Sequence, residues 1–262
     1  MITRLHHLEI GTKEPEKLVK KLVQQYGLSP CAHRTSHGIH QIVLSSGSNI
    51  FLVVTDLSDE SLANFDENNL PHFVPAKTVA EVKSKVNSVY NVAFQVEDIS
   101  VVASRIEKHH QVAPTIQSNV ASDHLGSVRY LTVKSCVGDI CHTLIDKNHY
   151  HGAFLPHFSP LDLPLSEYPP SRLLDLYNFI DHVAYGLHEH ESPAVLEWYS
   201  AVLNFKRLMT NSQESQKDGY IVMAGDTGLC LRAMHIPNSQ PPFSIVLAEP
   251  TSVHGKFLFQ IV

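Results

Sequence analysis

Imidazoles and carboxylates stand together at several places in this chain. In "FIDHVAYG" (residues 179–186), Asp181-His182 interrupts an apolar strand pattern. A neutral imidazole in that setting is a candidate metal ligand, and the alternative is a strand-edge residue near solvent. Downstream, "LHEHES" alternates His188 and His190 with Glu189 and Glu191. Alternate residues of an extended strand share a face, so His188 and His190 would chelate together in a strand and be solvated in a turn. His7 precedes Glu9 near the N-terminus, and His235 and Glu249 add a further imidazole and a further carboxylate.

Other chemistries have no residues to carry them. The chain shows no Gly-rich phosphate loop, no Ser-His-Asp order and no H-E-x-x-H. Cys31, Cys136, Cys141 and Cys230 are scattered without a C-x-x-C pair, which reads as reduced thiols in an intracellular protein. With 20 basic and 26 acidic residues the net charge is −6, so there is no basic footprint for nucleic acid. Hydrophobic residues make up 43% and charged residues 18%, as in a soluble globular protein, and no apolar run is long enough for a transmembrane segment. Many of the 18 histidines lie in polar contexts (His33, His37, His109, His110, His149, His151), so most read as solvated loop residues. Met223, Met234, Trp198 and Tyr199 read as core or helix-face packing.

The elements that position these residues repeat. "LHHLEIGTKEPEKLVKKLVQQYGL" (5–28) is a strand, a turn and a helix whose apolar face holds Leu18, Val19, Leu22 and Val23, stopped by Gly27. Strands "PCAHRTS", "IHQIVLSSG" and "NIFLVVTDL" follow. The β-α-β-β-β order recurs from "NVAFQVEDISVVASRIEKHHQV" (91–112), with Val101, Val102 and Ile106 on the helix face, then "APTIQSN", "SVRYLTVKS" and "DICHTLIDK". A third copy opens at strand 179–187. Ser192-Pro193 reads as N-cap and first turn of a helix over 194–203, which Asn204 ends. "KRLMT", "GYIVMAG", "GLCLRAMHI" and "FSIVLAE" are its strands. Registering the three opening strands puts His7, Asn91 and His182 at one equivalent position.

The reading is therefore an α+β fold of tandem βαβββ modules. Residues 1–149 form an N-terminal pair, 150–174 a Pro-rich linker packing through Phe154, Leu155 and Phe158, and 175–262 a third module with an incomplete partner.

Three such modules, one opening on "DHV", resemble the vicinal oxygen chelate superfamily. "FIDHVAYG", "LEWYSAVLNFKRL" and "HGAFLPHFSP" are similar to the 4-hydroxyphenylpyruvate dioxygenase and 4-hydroxymandelate synthase family, and "GYIVMAGDTGLCLRAMHIPNSQPPFSIVLAEP" favours its dioxygenase-like paralogue. The resemblance covers most of residues 1–250. It implies a non-haem Fe(II) held by two histidines and one carboxylate, with open positions for a small aromatic 2-oxoacid and O₂. The implied reaction turns 4-hydroxyphenylpyruvate into 4-hydroxymandelate for the ubiquinone head group in mitochondria. The alternative product is homogentisate.

Carried over by position, His182 matches the first metal ligand. The family's second histidine, in a "QHI" or "QHV", and its Glu ligand have no match, and Glu249 matches a Glu outside the triad, which implies a structural role. The N-terminal pair is the family's non-catalytic half, so His7 reads as structural. "VHGKFLFQIV" resembles a strand that lies far downstream in the family, so the chain reads as truncated in its C-terminal module. On that reading the chain is inactive alone, an isoform acting as an oligomerisation partner of itself or of full-length chains. "MITRLHHLEIG" shows no cleavable presequence, which makes the cytoplasm the alternative location.

Overall fold

In a computed structural model of the chain, residues 1–47, 49–59, 61, 72–74, 88–110, 118–161, 177–209, 212, 214–215, 219–225 and 227–252 are described. The apolar C-terminal stretch 253–262, most of the polar loop 56–80 and most of the Pro-rich segment lie outside them.

The first module runs β1 (Ile2–Thr12), α1 (Pro15–Tyr26), β2 (Ser29–Ser36), β3 (Ile39–Ser46) and β4 (Ile50–Asp56). The second is β5 (Ser88–Val96), α2 (Ile99–His110), β6 (Asn119–Asp123), β7 (Gly126–Lys134) and β8 (Cys141–Tyr150). After the two-residue β9 (Ser159–Pro160) comes the third, with β10 (His182–Gly186), α3 (Ser192–Leu203), β11 (Lys206–Leu208), β12 (Tyr220–Ala224), β13 (Thr227–His235) and β14 (Ser244–Ser252).

Strand pairing bears out the repeat. In each module the opening strand lies parallel to the closing one: β1 with β4, β5 with β8, β10 with β14. The other strands of each module are antiparallel neighbours. A parallel neighbour needs a crossover, and the amphipathic helix supplies it. In the third module β11 and β12 both pair with β13, Leu208 opposite Ala233 and Tyr220 opposite Leu231. They are two pieces of one interrupted strand, so the module keeps the βαβββ plan.

Two compact units result. One comprises Leu5–Ile99 and Ile116–Phe179, the other Met1–Arg4, Ser100–Thr115 and Ile180–Val262. The first is built on a sheet ordered β6-β7-β8-β5-β1-β4-β3-β2-β9, in which the opening strands β5 and β1 are neighbours. The second carries β10-β14-β13-β11, with β12 also on β13.

Local chemistry sets the helix ends. Val19, Leu22 and Val23 are buried in α1, and Gly27 closes it at φ 69°, its amide reaching Val23 O at 3.1 Å. Asn204 closes α3 in the same left-handed conformation. The start of α3 differs from the sequence reading: Ser192 is its first helical residue and Glu191 the cap position, because a distant carboxylate takes the Ser192 amide. Val102 and Ile106 are buried in α2, but Val101 is 41% exposed, since it follows Ser100 off the apolar stripe. Strand β6 is Asn119–Asp123, and most of the strand expected at 113–119 lies outside the described residues. A two-residue turn at His124-Leu125 pairs Asp123 with Gly126 and so sets the register.

Met234, Trp198 and Tyr199 are buried as expected, whereas Met223 is 50% exposed, because β12 has a neighbour on one edge only among the described residues. Phe154 and Leu155 are buried in the core of the first unit and Phe158 packs against it. No described helix is long and apolar enough to cross a membrane.

Candidate functional site

The opening strands carry the position registered from the sequence, and its three occupants meet three environments. His182 begins β10, where the Asp181 carbonyl accepts the Ser244 amide at 2.8 Å. His182 and Ala184 are exposed while Tyr185 is buried. The His182 side chain is 50% exposed, and its Nδ1 lies 3.0 Å from Asp181 Oδ2. An ionised carboxylate only accepts, so Nδ1 carries the hydrogen, which in the neutral imidazole leaves the lone pair on Nε2. That bond also holds the Asp181 carboxyl below its ordinary range. A carboxylate on one ring nitrogen with the other left basic is the arrangement that suits an imidazole to a metal.

His7 and Asn91, by contrast, are buried at 3% and 0% exposure. His7 Nδ1 meets His6 Nδ1 at 2.7 Å, and its ring lies 5.4 Å from that of Phe154. Burial, and secondly the charge of Arg34, push the His7 pKa down to about 3, so the ring is neutral. Asn91 donates to Glu9 Oε2 at 3.0 Å and to Thr143 Oγ1 at 2.9 Å.

Glu9 is the hub of a buried network that the sequence reading passed over. Its Oε1 accepts from Gln41 Nε2 at 2.5 Å, from Thr55 Oγ1 at 2.6 Å and from the Tyr90 hydroxyl. Gln41 in turn takes Arg34 Nε at 2.6 Å. Burial and the neighbouring Glu9 charge keep the Tyr90 hydroxyl protonated well above its ordinary range. Four donors from three strands thus offset the cost of one buried carboxylate. Part of the signal is in the sequence: Gln41 between Ile39 and Val43, and Thr143 between Cys141 and Ile145, each interrupt an apolar alternation.

The remaining candidates do not converge. Residues 189–190 are a turn, with His190 at φ 70° and the Glu191 amide reaching His188 O at 3.3 Å. His188 and His190 therefore share no strand face, and the solvated-turn reading holds. Glu249 is 4% exposed and engaged by Ser192 and Arg232. His235 pairs with Ser244 and Lys206 inside the sheet. Among the described residues no three His, Cys, Asp or Glu side chains form a group that could hold a metal. None of the four cysteines forms a disulfide.

Sequence comparison adds relatives along almost the whole chain. A 4-hydroxyphenylpyruvate dioxygenase-like protein of Rattus norvegicus is 30% identical over 250 residues, 94% of this chain and 61% of that protein. The Mus musculus protein of that name is 28% identical over 249 residues, with the same coverage. A 4-hydroxyphenylpyruvate dioxygenase of Caenorhabditis briggsae is 28% identical over 67% of this chain and 42% of its own. No family model matches. Among solved structures, a mutant 4-hydroxymandelate synthase from Streptomyces coelicolor superposes with a TM-score of 0.65 at 19% identity, over 95% of this chain and 63% of that one.

Tandem βαβββ modules with this strand order define the vicinal oxygen chelate fold. Within that class, the chain is a relative of the 4-hydroxyphenylpyruvate dioxygenase-like proteins. It spans 61% of the length of the mammalian relatives it matches.

Proposed function

We propose that the chain belongs to an Fe(II)-dependent 2-oxoacid dioxygenase that uses O₂ to convert 4-hydroxyphenylpyruvate to 4-hydroxymandelate, with His182 as one metal ligand. The observation that carries it is the Asp181–His182 pair at the head of β10, an exposed imidazole oriented by a carboxylate. The names and coverage of the relatives support the substrate class. A ubiquinone head-group role in mitochondria goes with that reading.

The residues present fit the metal only in part. A facial triad takes two imidazoles and one carboxylate. His182 supplies one imidazole, Asp181 is engaged in orienting it, and no three-donor group exists among the described residues. Iron would supply the activation of O₂. What this chain contributes is a fixed tautomer and an accessible Nε2, and no step is derived through the metal.

The test is an anaerobic Fe(II) titration of the chain beside His182→Ala, followed by product analysis with 4-hydroxyphenylpyruvate. One-to-one binding abolished by the substitution, with 4-hydroxymandelate formed, supports the proposal. Homogentisate in its place would assign the ring-hydroxylating reaction. Identical titrations for the two proteins would reject His182 as a ligand. The absence of a three-donor group favours a second reading, in which the chain is inactive alone and associates with itself or with a full-length chain.

A further inference from the structure

Two short segments cover one face of the first unit's sheet. His72–Val74 lays Phe73 into a cluster with Val43, Val53 and Tyr130, and residues 154–158 add Phe154 and Leu155 to it. Arg34 ties both down. Its Nη2 donates to His72 O at 2.6 Å, and its guanidinium sits 4.5 Å from the Phe158 ring centroid. Where the segments meet, the rings of His72 and His157 stack at 5.4 Å and 12°. His72 Nδ1 also reaches the Tyr130 hydroxyl at 2.9 Å, and the His157 amide donates to Asp123 at 3.3 Å.

Two features make this closure conditional. Phe73 and His157 both hold φ 68°, a left-handed backbone that is unfavourable for non-glycine residues and persists only while packing enforces it. The charges around the stack are also mostly of one sign. His72 faces His157, Arg34 and His37, and the carboxylate near His157 is Asp123, itself beside His124. Among the described residues, a proton on His72 would set a cation against Arg34 with no carboxylate beside it.

We propose that the His72–His157 stack is a latch worked by a proton on His72, whose neutral ring holds the two segments over the sheet and whose protonated ring releases them, uncovering Phe73, Phe154 and Phe158. Burial, then His157, Arg34 and His37, lower the His72 pKa, so the closed form resists protonation. The closure is therefore complete above the ordinary histidine pKa of about 6.5 and weakens as pH falls through it.

Amide hydrogen exchange on the full chain at about pH 7.5 and about pH 5.5, corrected for intrinsic rates, tests this. The Phe158 amide, bonded to Leu155 O, and the Leu161 amide, bonded to Cys31 O, report the closure; the Thr143 amide, bonded to Asn91 Oδ1, reports the sheet. Acid should lower protection at Phe158 and Leu161 relative to Thr143, by at most about tenfold at one pH unit below the ordinary histidine pKa. His72→Gln with His157→Gln should remove that difference. Should the double variant fail to fold, His157→Gln alone, at an exposed position, should reduce it. Equal loss at all three amides, or an unchanged pH response in the variants, overturns the latch.

Discussion

The Glu249 carboxylate accepts the Ser192 amide at 2.5 Å, so the last strand of the third module caps the helix that follows its first strand. Arg232, on β13 beside the closing strand, completes the arrangement, with Nη1 2.5 Å from Ser192 Oγ and 2.7 Å from Glu249 Oε2. Helix start, closing strand and middle strand are thereby fixed to one another by a single buried ion pair.

Removing one partner should cost much more than removing both. Glu249→Leu strands the Arg232 guanidinium, whose side chain is 11% exposed, and should destabilise this unit by about 3 kcal/mol. Arg232→Met combined with Glu249→Leu should recover most of that loss. Urea unfolding followed by Trp198, the single tryptophan, buried in α3, provides the measurement. A double variant as unstable as the single one would assign the effect to the lost cap instead of the stranded charge.

Glu9 presents the same physics without a direct cationic partner, because Gln41 stands between it and Arg34. Glu9→Leu removes an acceptor from the buried donors of Gln41, Thr55, Tyr90 and Asn91, of which Gln41 and Tyr90 keep Thr55 Oγ1 and Asn91 keeps Thr143 Oγ1. Each lost bond costs about 1–3 kcal/mol, so the loss should reach several kcal/mol. Glu9→Gln should cost less, since one amide oxygen still accepts. Circular dichroism melts of the three proteins would show that order, and equal melting points would mean water replaces the carboxylate.

The repeat was legible because apolar periodicity shifts from strand to helix and back at the same spacing three times. Register at the opening strands was legible for the same reason. The environment of the registered position was not, because burial depends on neighbouring strands: β1 and β5 flank each other, whereas β10 has β14 as its neighbour. Hence His7 and Asn91 are buried, and His182 is exposed. The cap of α3 was misplaced by one residue because Glu249 is 57 residues from Ser192 and local capping rules do not see it. The Glu9 network went unread because its polar residues, each ordinary alone, gain meaning only from cross-strand pairing.

The first unit should lose stability in acid through two further histidines. His142 is buried, with Nδ1 donating to Val92 O at 2.9 Å, and burial lowers its pKa to about 4. His7 is held at about 3. Unfolded, both titrate near 6.5, so below that pH the unfolded chain binds protons that the native chain refuses. Stability conferred by the neutral rings is full above about 6.5 and falls by about 1.4 kcal/mol per pH unit for each ring until the native pKa is reached. His142→Asn, which can keep a donor toward Val92 O, should remove one ring's share of that slope. Urea midpoints measured down a pH series check it, and a wild-type slope in the variant would refute the assignment.

Asp181 separates a positioned imidazole from one that is merely exposed. Both side chains are largely in water, at 50% and 73% exposure, so Asp181→Asn should leave the urea midpoint unchanged. It should nonetheless matter for metal. An asparagine can present its NH₂ to Nδ1, which stabilises the tautomer with hydrogen on Nε2 and blocks the ligating atom. Loss of such an orienting carboxylate typically lowers metal affinity about 10- to 100-fold, and the Fe(II) titration of Asp181→Asn should fall in that range. Asp181→Glu, which restores a carboxylate, should recover part of it. Wild-type affinity in Asp181→Asn, with binding lost in His182→Ala, would mean that His182 ligates through a tautomer Asp181 does not set.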